Sequence, residues 1–106
     1  MPELTVIAKA KAKPGREADL ERELRGIVKP THAEQGCLRY TLHRSLEDPT
    51  SFITIERWAS KEAIDSHFGA PHIQSLLTKA ADLLTGLPEI KVFQMLEEGQ
   101  GEKSRI

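Results

Sequence analysis

The sequence predicts an α+β domain, an antiparallel sheet with helices packed on one of its faces. Two observations carry this reading. Runs rich in β-formers ("LTVIA", "CLRYTLHRSL", "SFITIERW", "EIKVFQML") alternate with segments of helical periodicity, and Gly or Pro falls at nearly every junction. The resulting order, β-α-β-β-α-β, is the split pattern of the ferredoxin-like arrangement, in which both helices cover the same side of the sheet.

Each element has its own signal. Leu4 to Lys13 opens with β-branched residues, continues in Lys/Ala alternation and meets the turn Pro14-Gly15. From Arg16, the residues Leu20, Leu24, Ile27 and Val28 form an amphipathic stripe, with Pro30 expected to end or kink the helix and Gly36 to stop what remains. In the next run Leu38, Tyr40 and Leu42 alternate with Arg39, Thr41 and His43, and "EDPT" turns this run back onto Ser51 to Trp58 as a hairpin. Its register is open by one residue, so either Tyr40 or His43 shares the face of Trp58. Ser60 caps a helix carrying Ala63, Ile64, His67 and Phe68, and Gly69 and Pro71 interrupt it. A second helical run bears Ile73, Leu76, Leu77, Ala80 and Leu84, until Gly86 and Pro88 end it before the last strand. Residues 1–97 read as a single domain, and 98–106, which lack periodicity, as a flexible tail.

Both faces of the sheet are apolar by this reading. Leu4, Val6 and Ala8 oppose Thr5 and Ile7, while Phe52, Thr54, Glu56 and Trp58 oppose Ile53, Ile55 and Arg57. A sheet with one wet face alternates apolar with polar, so the second face is expected to meet another copy of the chain as a homodimer. With 106 residues there is room for one domain. A net charge of -1 supplies no field for nucleic acid or an anionic membrane. The single cysteine, Cys37, excludes an internal disulfide framework and reads as a small buried hydrophobe. The N-terminus has no signal-peptide pattern, and no apolar run approaches the roughly 20 residues of a membrane helix. A cytoplasmic protein without membrane insertion is expected.

Pro14-Gly15, Glu34-Gln35-Gly36-Cys37 with Tyr40, Glu56 with Trp58, Ser60, His67 and Pro71-His72 span nearly all of residues 4–96. Together they resemble the antibiotic-biosynthesis monooxygenase domain family and are similar, within it, to the cofactor-independent quinol monooxygenases. The resemblance implies a dimeric α/β barrel, two sheets packed face to face with one pocket per subunit between the sheet and its own helices. It implies oxidation of a quinol, a small phenol or a polycyclic aromatic substrate by O2, without flavin, haem or metal. Branches of the family depart from this chain at three positions. The polyketide-type enzymes carry asparagine where Thr54 stands, and the haem-degrading branch has its iron-ligating histidine at the position of Leu77 and an asparagine at that of Ala8. Haem degradation is therefore not expected.

Such chemistry requires a base for a phenolic proton, and a neutral imidazole suits it. His67 lies on the apolar stripe beside Ile64 and Phe68 and is the expected base, with Glu56 orienting it. Trp58 shares a face with Glu56 and Thr54 and would stack on a flat substrate. His72, Tyr40 or His43, Thr54 and Phe68 complete the expected substrate-binding set. No metal is expected, because Pro71 separates His67 from His72 and no Cys or acidic cluster completes a ligand set by sequence. Two alternatives stand beside oxygenation: a non-catalytic dimeric ligand-binding or stress-associated module, and an acid-base isomerase of a small ketone.

Overall fold

The computed structural model describes residues 3–105. Its elements are β1 (Leu4–Lys11), α1 (Glu17–His32), β2 (Cys37–Arg44), β3 (Ser51–Trp58), α2 (Lys61–Gly69), α3 (Pro71–Leu83) and β4 (Glu89–Gln94). The strands form one antiparallel sheet in the order β2-β3-β1-β4, the ferredoxin-like arrangement with its second helix broken in two. Val6, Tyr40, Phe52 and Trp58 from the inner face share one core with Leu20, Leu24 and Ile27 of α1, Ile64 of α2, and Ile73 and Leu83 of α3.

Of the two outcomes expected at Pro30, an end or a kink, the structure excludes the first: α1 runs on to His32. Proline in the last turn forfeits only its own N–H, and the chain closes beyond it. Ala33 N–H reaches the carbonyls of Lys29 (3.3 Å) and Pro30 (3.2 Å), and Glu34 N–H donates to Thr31 (3.0 Å). The extra turn carries Thr31, fully buried, and sets Glu34 just past the helix. Gly36 then turns with φ +89, and a Cβ there would stand 2.6 Å from the Cβ of Ala63, so the start of β2 lies close against α2.

Ser60 caps α2, its hydroxyl accepting from Ala63 N–H at 3.1 Å. Ala70 serves at once as the end of α2 and the N-cap of α3, with Pro71 at the first helical position. The expected α3 stripe holds in part: Ile73 is buried and Leu76 and Ala80 are half-buried, whereas Leu77 is 41% exposed, and Leu83, outside the expected stripe, is buried. Leu84 is buried beyond the helix end, in a bridge to Ala12. The C-terminal segment, expected to lack structure, contains a 3₁₀ turn at Gly101–Ser104. None of the described helices is long and apolar enough to cross a membrane.

Directly opposed residues share a face, and the register therefore places Ile7, Ile53, Ile55, Thr41 and His43 on the outer side of the sheet, away from the helices. Phe93, opposite Thr5, joins them and is 45% exposed.

Candidate functional site

The inner face of the sheet and the three helices line a partly open cavity of about 80 Å³. Its walls are mostly aliphatic, from Leu20, Leu24, Leu76 and Leu83 among others. Its polar groups, Tyr40, Thr54, Glu56 and His67, gather on one side. A bulge between Cys37 and Arg39 puts Tyr40 opposite Glu56. That bulge settles the register, and Tyr40 is the residue that shares the face of Trp58. His43 pairs with Ile53 on the outer face, where its ring meets the Thr41 hydroxyl at 2.9 Å, so its expected place in the pocket is corrected.

His67 is held from the side away from the cavity. Its Nδ1 lies 2.8 Å from Oε2 of Glu34, and His72 Nε2 lies 2.8 Å from the same oxygen. An ionised carboxylate only accepts, so both ring nitrogens carry the proton and donate. With Nδ1 protonated, neutral His67 has its lone pair on Nε2, which has no hydrogen-bond partner among the described residues. His67 lines the cavity, whereas Glu34 and His72 do not. The expected orienting residue, Glu56, is otherwise engaged: Trp58 Nε1–H donates to Oε1 at 2.9 Å and Thr54 Oγ1–H to Oε2 at 2.6 Å. The orienting carboxylate is Glu34. Glu34 is among the residues that carry the family resemblance but is given no role by the sequence, because nothing local links it to His67, 33 positions away.

Trp58 is fully buried and shows no surface to the cavity. Its indole instead packs on His67, ring centroids 4.7 Å apart, so it backs the imidazole where a substrate wall was expected. Phe68, 5.2 Å from His67, does line the cavity. His72 sits beyond His67 in the Glu34 cluster, its Nε2–H shared between Glu34 at 2.8 Å and the Thr31 hydroxyl oxygen at 3.1 Å. Glu34 is thus the acidic group that completes a possible ligand set with His67 and His72, contrary to the reading from spacing.

Burial governs the electrostatics. It holds the Tyr40 phenol well above its ordinary range, with the charge of Glu56 adding to it, so Tyr40 remains a proton donor. It likewise raises Glu56 from its ordinary 4.5, against the hydrogen bonds from Thr54 and Trp58 and the field of His67. The unfolded chain ionises this carboxyl at lower pH than the folded one, and folded stability is therefore lost as pH rises through the folded pKa. Glu56→Gln keeps an acceptor for Trp58 and removes the buried charge. Its melting temperature should match wild type below the ordinary carboxylate range and exceed it at neutral pH. A neutral-pH melting temperature below wild type would show instead that the carboxylate is fully compensated in the fold.

The arrangement is an imidazole, hydrogen-bonded to a carboxylate, at the polar side of an apolar chamber, the kind of group that can serve as a base. Comparison with known proteins places the chain in a family. Residues 3–79 match the family model described as antibiotic biosynthesis monooxygenase. The chain is similar to PA3566 of Pseudomonas aeruginosa, at 36% identity, TM-score 0.87 and coverage of 92% of this chain and 97% of that one. It is also similar to Rv0793 of Mycobacterium tuberculosis, whose structure superposes with TM-score 0.85 at 31% identity over 92% of this chain and 99% of that one. A Synechocystis relative, 28% identical over 89% of this chain, is longer, and the chain spans 64% of it. The matched span covers most of the sequence, and the chain belongs to the antibiotic biosynthesis monooxygenase family.

Proposed function

We propose that the protein is a cofactor-independent monooxygenase acting on a small quinol or phenol, and that it works as a homodimer through the outer face of its sheet. The observation that carries the reaction is the Glu34–His67 pair: with Nδ1–H given to Glu34, the other ring nitrogen of this cavity-lining histidine is left with its lone pair free. Nε2 takes a phenolic proton, and Glu34 stabilises the imidazolium that forms. The phenolate passes one electron to O2, and the resulting semiquinone and superoxide combine at a ring carbon. Loss of water from that hydroperoxide leaves a hydroxyquinone, so one oxygen atom enters the ring and the other leaves as water. Both electrons come from the substrate, which is why the balance needs no separate reductant.

Cavity size favours a single ring. A cavity of about 150 Å³ accommodates benzene, and the one here measures about 80 Å³. Even a monocyclic quinol needs more room than this, and a polycyclic one much more. Oxygen uptake with a panel of hydroquinones tests the reading. The expected result, without added cofactor, is one oxygen per quinol and a hydroxyquinone product with no accumulated peroxide. Binding of quinols without oxygen uptake would favour a non-catalytic ligand-binding module.

A further inference from the structure

We infer that Glu34, His67 and His72 form a binding site for a divalent first-row transition ion of the zinc type, and that the ion, when bound, switches off the base. The binding follows from geometry alone, and only its effect on turnover rests on the proposed oxygenation. One carboxylate oxygen and two ring nitrogens, His67 Nδ1 and His72 Nε2, all lie within 4.8 Å of one another. Zinc bonds to His and Glu are about 2.0–2.2 Å, which sets tetrahedral ligand atoms about 3.4 Å apart. Each nitrogen stands 2.8 Å from Glu34 Oε2, so about half an ångström of opening makes room for the ion. Glu34 is in the turn after α1, outside any helix or strand, where such an adjustment is least constrained.

Two imidazoles and a carboxylate are a donor set that suits zinc and its neighbours more than the hard cations, which take oxygen ligands. The need to orient His67 does not explain His72. One carboxylate is enough for that, and His72 adds a second donor to the same oxygen while taking no part in the cavity wall. The site also has an entrance: the side chains of His72 and Glu34 are 20% and 14% exposed, against 2% for His67.

The switch is a matter of tautomers. A neutral imidazole has one N–H, and an ion on Nδ1 forces that proton onto Nε2. Nε2 then carries the proton where it previously held a lone pair, and it cannot remove a proton from a substrate. Each histidine keeps its proton, moved across the ring, so the charge at the site changes by that of the ion alone.

Metal-free protein titrated with Zn2+ in a calorimeter, and with Co2+ followed by its visible absorption, tests the site. One ion per chain is expected, with tetrahedral Co2+ bands. His72→Gln, which deletes a ligand, should weaken binding by more than the roughly 10–100-fold that loss of an outer hydrogen-bond partner costs. Imidazole ¹⁵N–¹H correlation spectra of the unmutated protein give a second readout that does not depend on a variant folding. Zn2+ should move the His67 proton from Nδ1 to Nε2, and in the same titration it should inhibit any oxygen uptake. Absence of stoichiometric binding, an affinity unchanged in His72→Gln, or a His67 tautomer unmoved by saturating Zn2+ would each overturn the site. Loss of oxygen uptake in the metal-free protein would bear only on the oxygenase reading.

Discussion

Replacing His67 by alanine should lower oxygen-dependent turnover of a hydroquinone by about 10²–10⁴-fold, the range of a lost general base. The residue is 98% enclosed, at 2% exposure, and alanine also opens a hole between Trp58, Tyr40 and Phe68. A packing defect must therefore be separated from a missing base. His67→Gln makes that separation, since glutamine fills much of the space and can still donate to Glu34, yet offers no basic nitrogen. The two variants should differ in melting temperature and be alike in turnover. The deficit should also narrow as pH approaches the substrate's own pKa, because solvent then supplies the phenolate without help. Glu34→Gln should fall between wild type and these variants. It preserves an acceptor for Nδ1–H but no longer offers a charge to balance the imidazolium. Steady-state oxygen uptake across pH checks the whole series. A His67→Gln protein with wild-type turnover at neutral pH would reduce the imidazole to core packing.

How far the sequence reaches is decided by the range of each signal. The helical stripe of Leu20, Leu24 and Ile27, the Ser60 cap and the Pro14-Gly15 turn are local patterns, and each appears in the structure where the pattern put it. The inward direction of His67 was legible for the same reason, from Ile64 and Phe68 on its own helix. What escaped depends on contacts between distant segments. Glu34 reaches His67 across 33 positions and His72 across 38, and only the folded chain brings the three together. The choice between Tyr40 and His43 turned on a bulge that strict alternation conceals. Trp58 was given the right face and the wrong neighbour. Period two shows that it points inward, but only the seating of α2 shows that His67 occupies the space a substrate would have filled. Pro30 is a different case: proline breaks the interior of a helix, and in a last turn there is little left to break.

The apolar outer face supports the last prediction, that the protein sediments as a dimer at micromolar concentration and that Ile55→Asp makes it a monomer. In the register Ile55 lies between Ile7 and Thr41, and Ile53 is on the same side of β3. Lys9, Lys91 and His43 surround this apolar centre, opposed in turn to Ile53, Ile7 and Ile53. An apolar centre with a polar rim is the anatomy of a protein interface. A twofold dimer counts every substitution twice, so one Ile55→Asp change brings two carboxylates into the same contact. Desolvating an unpaired carboxylate costs several kcal/mol even after the protein relaxes. Each step of about 1.4 kcal/mol weakens association tenfold, and about 3 kcal/mol is thus enough to raise the dissociation constant about a hundredfold. Sedimentation velocity over a concentration series reads this directly. The variant monomer should keep its secondary structure, because Ile55 points away from the helices and the core is built on the other face. A wild-type protein that remains monomeric as concentration rises would overturn the dimer, and an Ile55→Asp protein that stays dimeric would place the subunit contact elsewhere. Either result would also leave the isoleucines of this face without the partner that their exposure calls for.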